Sequence, residues 1–283
     1  MFDSLISAGR LAAILTRPDL LVFDCRFDLA NVERGEQSYR ESHVPGAIYA
    51  HLDHHLSSPI TAQSGRHPLP DIGQFRDWLG QSGFDGRQQV IAYDDSGCAM
   101  ASRLWWLLRC MGHDRVACLD GGWQAWLAID GEVEARIRPR QALQAPDLRL
   151  DDSRVATTAE LLDNLQSQRL LVVDVRTGER FRGEHEPIDP VAGHLPGACN
   201  LPLMDNLDAS GCYRPAAELR QLYAGVMAKT PLERQVYMCG SGVTACHSAL
   251  ALAAAGYAMP RVYAGSWSEW IRDPGRPVAT GAA

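Results

Sequence analysis

Three segments of this chain occur twice. LVFDCR at 21–26 returns as LVVDVR at 171–176, HVPGA at 43–47 as HLPGA at 194–198, and DGGWQAW at 120–126 as AGSWSEW at 264–270. They recur in one order at nearly one spacing, roughly 150 residues, which marks a duplicated structural unit. Whatever one half folds into, the other must fold into as well. The expected domains are 1–140 and 153–283, which suits a length of 283 residues. The stretch RIRPRQALQAPDLRLDD (136–152) is rich in Arg, Pro and Asp, lacks periodicity, and reads as the link between them.

Within each half, short apolar runs alternate with helix-forming stretches. In the second, 159–165 reads as a helix capped by Thr157 or Thr158. Residues 170–174, 235–238 and 261–263 read as buried strands. Residues 215–227 read as a helix opened by Pro215, 245–255 as one ended by Gly256, and 266–271 as a last helical turn or two. The first half gives the same order, with a strand at 90–94 and a helix at 98–111. This alternation predicts an α/β fold, each half a central parallel sheet flanked by helices.

Composition narrows the function. Apolar residues are 46% and charged residues 22%, as in an ordinary globular protein. A net charge of −7 argues against non-specific nucleic-acid binding. Lys229 is the only lysine, so no phosphate-loop lysine exists and Schiff-base chemistry would rest on that residue alone. No apolar run reaches the ~18 residues a membrane helix needs. Asp3 stands where a secretory signal would carry positive charge, which points to the cytoplasm. The eight cysteines contain no C-x-x-C pair, and most read as reduced and buried. His51, His54 and His55 have a metal-like spacing, but no other ligand set converges with them, so they read as loop histidines and no metal or cofactor is expected.

The most informative stretch is VYMCGSGVTACHSALAL, 236–252. A strand ends at Met238, Cys239 stands at its tip, and a helix starts after Thr244. In open parallel sheets ligands bind beyond the carboxyl ends of the strands. Gly240 and Gly242 let the backbone curl so that successive N–H groups converge, and the helix N-terminus adds positive potential. A sulfur there is expected to sit as thiolate and to act as a nucleophile. An isolated cysteine at a strand end is ordinarily just a small buried hydrophobe, but the glycines and the junction reverse that reading. In the first half Asp94 falls where Cys239 lies. One working site is therefore expected, in 153–283, with the first half catalytically silent and supplying a wall of the site.

CGSGVT at such a junction, with the paired D-x-R and H-x-PGA motifs and the closing G-x-W, resembles the 3-mercaptopyruvate sulfurtransferases of the rhodanese superfamily across essentially the whole chain. The resemblance implies two tandem rhodanese-like domains and sulfur transfer through a cysteine persulfide. Residue by residue it implies Cys239 as the persulfide-forming nucleophile and Gly240, Ser241, Gly242, Val243 and Thr244 as its cradle. Ser241 would act with a His and an Asp, for which His67 and Asp53 are the candidates. Arg180 would hold the donor carboxylate. The second arginine that the family often carries is replaced here by Ile188 or Asp189, leaving Arg182 or Arg66 to compensate.

The neutral residues after Cys239 favour 3-mercaptopyruvate over thiosulfate as the small-molecule sulfur donor, with a thiol, a thioredoxin-like protein or cyanide as acceptor. A thiosulfate sulfurtransferase is the alternative. A phosphatase of the C-x5-R type is disfavoured because Ala245 occupies the arginine position. A non-catalytic tandem domain is disfavoured by the intact nucleophile loop. Cys246 and His247 read as packing residues of the helix, and His43 and His194, repeated in both halves, as structural.

Overall fold

The structure, a computed structural model, describes residues 1–282. It divides into two compact units. The first comprises Met1–Ser58, Leu69–Asp151 and Ala209–Tyr213, the second Pro59–Pro68, Asp152–Asp208 and Arg214–Ala283. Residues 141–151 thus pack with the first unit. The Leu143 N–H donates to the Gly80 carbonyl at 2.8 Å, and Leu148 is buried. Arg66 and His67, from the first half of the sequence, belong to the second unit.

The first unit is built on a five-stranded sheet: β1 (Leu5–Ile6), β2 (Leu20–Asp24), β3 (Ile48–Tyr49), β4 (Gln89–Tyr93) and β5 (Val116–Leu119). Its spatial order is β1-β5-β4-β2-β3, and every pairing is parallel. The second carries β6 (Val155–Ala156), β7 (Leu171–Asp174), β8 (Cys199–Asn200), β9 (Gln235–Met238) and β10 (Arg261–Tyr263). Its order is β6-β10-β9-β7-β8, again all parallel, so the sequence duplication is a duplication of topology. The central strands are apolar without alternation because helices cover both faces of a parallel sheet. Every residue of β2, β4, β5 and β9 is buried.

The helices follow their sequence signals. Helix Thr158–Ser167 starts at Thr157, whose Oγ1 accepts the Glu160 N–H while Glu160 accepts the Thr157 N–H. Helix Ala216–Lys229 begins after Pro215. Helices Ala101–Cys110 and Ala245–Ala254 are buried on nearly every side, as their lack of a polar face requires. Among the described residues no helix is long and apolar enough to cross a membrane.

The repeated motifs perform one structural task twice. Arg26 pairs with Asp24 (2.6 Å), donates to the Ser42 carbonyl (2.7 Å), and stacks over Trp123 at 4.6 Å. Arg176 pairs with Asp174 (2.6 Å), donates to the Gly193 carbonyl (2.7 Å), and stacks over Trp267 at 4.8 Å. The D-x-R and G-x-W segments thereby lock a strand end to the closing helix of each unit. His43 and His194 have matching places. Their Nδ1 atoms meet the carbonyls of Tyr39 (2.6 Å) and Phe181 (2.7 Å), and their backbones bridge to Glu134 and Ala279.

Candidate active site

β9 delivers Cys239 to the carboxyl edge of the second sheet, beside β7 and β10. The chain then curls through Gly240–Thr244 into helix Ala245–Ala254. The Gly242 N–H donates to the Cys239 Sγ at 3.1 Å. Only glycine fits at 242: its φ is +79°, and a Cβ there would lie 2.1 Å from the Ala264 carbonyl oxygen. The thiol is 1% exposed. Val243 is buried, Thr244 precedes the helix, and Cys246 turns its sulfur toward the Gly242 carbonyl at 3.4 Å.

The closing segment braces this loop. Trp267 N–H donates to the Cys239 carbonyl (3.1 Å), and Ser268 N–H to that of Gly240 (2.8 Å). Ser266 Oγ accepts the Cys239 N–H (3.0 Å), donates to the Tyr263 carbonyl (2.8 Å), and lies 4.0 Å from Sγ. Ser266 has φ +52°, a left-handed conformation that side chains rarely adopt. Its counterpart in the first repeat is Gly122, at φ +56°. Sequence reasoning passed over Ser266; the signal was this Gly-to-Ser exchange between otherwise matching segments.

Ser241 and His67 meet at 2.8 Å between Oγ and Nδ1, both nearly buried. Asp53, the other candidate beside them in the sequence argument, lies in the first unit on the short helix Leu52–His55, where its N–H donates to the His51 ring. His55 of that helix stacks on Trp78, and burial pushes its pKa down to about 4.

Arg180 lies in the short helix Gly178–Arg182. Its Nε donates to both oxygens of Glu186 (3.0 Å each), and its Nη2 to Asp189 Oδ2 (3.0 Å). The other oxygen of Asp189 pairs with Arg66 Nη1. Of the two candidate replacement arginines, Arg66 is the one at the loop. A Cβ built on Gly240 would lie 2.8 Å from Arg66 Nη2 and 3.4 Å from Arg180 Nη2. Arg182 instead pairs with Glu184 at the surface. Burial works to raise the Glu186 carboxyl, but hydrogen bonds from Arg180 and the N–H groups of Asp189 and Ile188 outweigh it, and its pKa falls. Burial pushes the Asp189 carboxyl up; Arg66 opposes the rise and the negative charge of Glu186 adds to it.

The first unit supplies an internal control. Asp94 follows β4 as Cys239 follows β9, and its carboxylate accepts the N–H groups of Ser96 (2.9 Å), Cys98 (2.9 Å), Met100 (2.7 Å) and Ala101 (2.8 Å). The brace is conserved between the repeats, with Trp123 N–H on the Asp94 carbonyl at 2.8 Å. Curled in this way, the strand-to-helix loop of the first unit gathers four main-chain amides on one carboxylate. In the second unit the corresponding loop sets one amide, that of Gly242, against the Cys239 sulfur.

Fold and loop together define an α/β protein of two like units, one of which ends a central strand on a cysteine whose sulfur meets the Gly242 amide. The family profile described as the rhodanese-like domain matches residues 7–129 and 157–273. A probable 3-mercaptopyruvate sulfurtransferase from Pseudomonas aeruginosa is 46% identical over 98% of this chain and 98% of its own. A putative thiosulfate sulfurtransferase from Mycobacterium tuberculosis is 35% identical over 99% of this chain and 98% of its own. The solved 3-mercaptopyruvate sulfurtransferase from Leishmania major superposes with a TM-score of 0.82 at 31% identity, covering 95% of this chain and 74% of that one. The chain belongs to the rhodanese family, as a tandem-domain sulfurtransferase.

Proposed function

We propose that the enzyme takes sulfur from 3-mercaptopyruvate and passes it, through a persulfide on Cys239, to a thiol, a thioredoxin-like protein or cyanide. The observation that carries this reading is the Cys239 sulfur held by the Gly242 amide, with neutral Gly240 and the Ser241–His67 pair beside it. Arg180 binds the donor carboxylate. The Cys239 thiolate attacks the donor sulfur; the carbon–sulfur bond breaks and its electron pair leaves as pyruvate enolate. The proton of the donor thiol passes by way of Ser241 and His67 to the enolate carbon, releasing pyruvate. The persulfide rests against the amides of Gly240–Thr244. An acceptor then attacks its outer sulfur and restores the Cys239 thiolate, which gives ping-pong kinetics.

Asp53 is assigned as the acidic partner of His67 by resemblance alone. The first domain is assigned as catalytically silent because Asp94 fills its loop. Eight free cysteines favour a reducing compartment, the cytoplasm. Intact-mass analysis after donor addition should show one added sulfur atom, lost in Cys239→Ser. Activity that survives Cys239→Ser without the adduct would overturn the reading. Thiosulfate is the second donor to test, since two guanidinium groups approach Gly240. A thiosulfate kcat/KM above that for 3-mercaptopyruvate would reverse the order of donors.

A further inference from the structure

Asp189 occupies a peculiar position. Its side chain is 3% exposed, and its two oxygens are divided between Arg66 and Arg180. That is how a donor carboxylate would sit if the two arginines held it. The same guanidinium groups extend to Gly240, next to the sulfur. Glu186 holds the remaining face of Arg180 and also meets Arg176, itself paired with Asp174. Arg66, Arg180, Glu186 and Asp189 therefore sum to no net formal charge, and without Asp189 the group would carry one positive charge. A cavity of about 340 Å³ opens against Arg66 and Asp189, with Ser268 and Arg272 on its wall.

From this geometry we infer that Asp189 is a specificity-determining residue: a built-in counter-ion that cancels the field of the arginine pair beside Cys239, favouring a singly charged, carboxylate-bearing donor over a doubly charged inorganic one. The inference rests on the functional reading above. A dianion gains twice as much from each unit of positive charge, so it loses most when that charge is cancelled.

The test is kcat/KM for 3-mercaptopyruvate and for thiosulfate in the wild type, Asp189→Asn and Asp189→Glu. Asp189→Asn keeps the shape and removes the charge. It should raise the thiosulfate-to-mercaptopyruvate ratio about tenfold and steepen the salt dependence for thiosulfate. Asp189→Glu keeps the charge and should leave the ratio within about threefold of wild type. An unchanged ratio in Asp189→Asn, or a parallel loss with both donors, would make the residue merely structural and overturn the inference. Should circular dichroism show that Asp189→Asn does not fold, the wild-type salt profile decides. The two donors should then lose kcat/KM by similar factors between roughly 0.01 and 0.15 M salt. A thiosulfate loss more than about fivefold greater would mean an uncancelled field and would overturn the inference. Intact mass separates the two readings. A Cys239 persulfide with an unmoved ratio defeats only the role of Asp189, whereas no persulfide from either donor in the wild type defeats the functional reading and this inference with it.

Discussion

Ser266 shows how one side chain sets the two repeats apart. Its backbone is left-handed, where its counterpart Gly122 carries no side chain, and its hydroxyl holds the Cys239 N–H. Ser266→Gly deletes two hydrogen bonds of about 0.5–1.5 kcal/mol each, and release of about 1–3 kcal/mol of left-handed backbone strain offsets much of that loss. We expect thermal stability close to wild type and a kcat lower by roughly three- to tenfold, from about 1.4 kcal/mol per factor of ten. A large fall in melting temperature with unchanged kcat would place Ser266 among purely structural residues. Ser241 reaches its partner by a different route. The hydrogen bond to His67 spans 174 positions of sequence, and no local pattern announces it.

At the scale of elements, the strand-end ion pairs are the rigid points. Asp174 and Arg176 are both almost fully buried, and Trp267 covers the guanidinium. Removing Asp174 leaves the buried Arg176 guanidinium to the more distant Glu186 carboxylate at 3.3 Å, a loss of about 3–5 kcal/mol. Asp174→Ala should lower the unfolding free energy by that amount, checked by urea unfolding; a change under about 1 kcal/mol would show that Glu186 or water satisfies Arg176 in its place. These pairs were legible as motifs because each occurs twice. The central strands and the long helices were legible through apolar runs, caps and glycine stops. The two-residue edge strands β1, β3, β6 and β8 were not, since two residues carry no periodicity and pairing with a neighbour alone defines them. Helix Gly178–Arg182 was missed for the same shortness.

For the molecule as a whole, acid sensitivity should lie in the first unit. Burial lowers the pKa of His51, His55 and His113, all in that unit, with His55 reaching about 4 against an ordinary 6.5. The unfolded chain therefore takes up protons first, so the stability these rings supply is present above pH 6.5 and is lost as pH falls toward 4. Calorimetry from pH 7 to 4 should show a falling melting temperature, with part of the fall abolished in His55→Gln; an equal fall in that variant would trace it to other groups. By itself, the sequence determined the duplicated parallel α/β architecture and the curled strand-to-helix loop that follows Cys239. Apolar runs specify buried strands, and the two glycines around Ser241 leave the backbone little choice but to curl. Only the tertiary structure decided that residues 59–68 belong with the second unit, that Arg66 rather than Arg182 reaches Gly240, and that Asp189 lies between Arg66 and Arg180. Those placements depend on long-range packing of loops, in which position along the chain carries no record of which charges will meet.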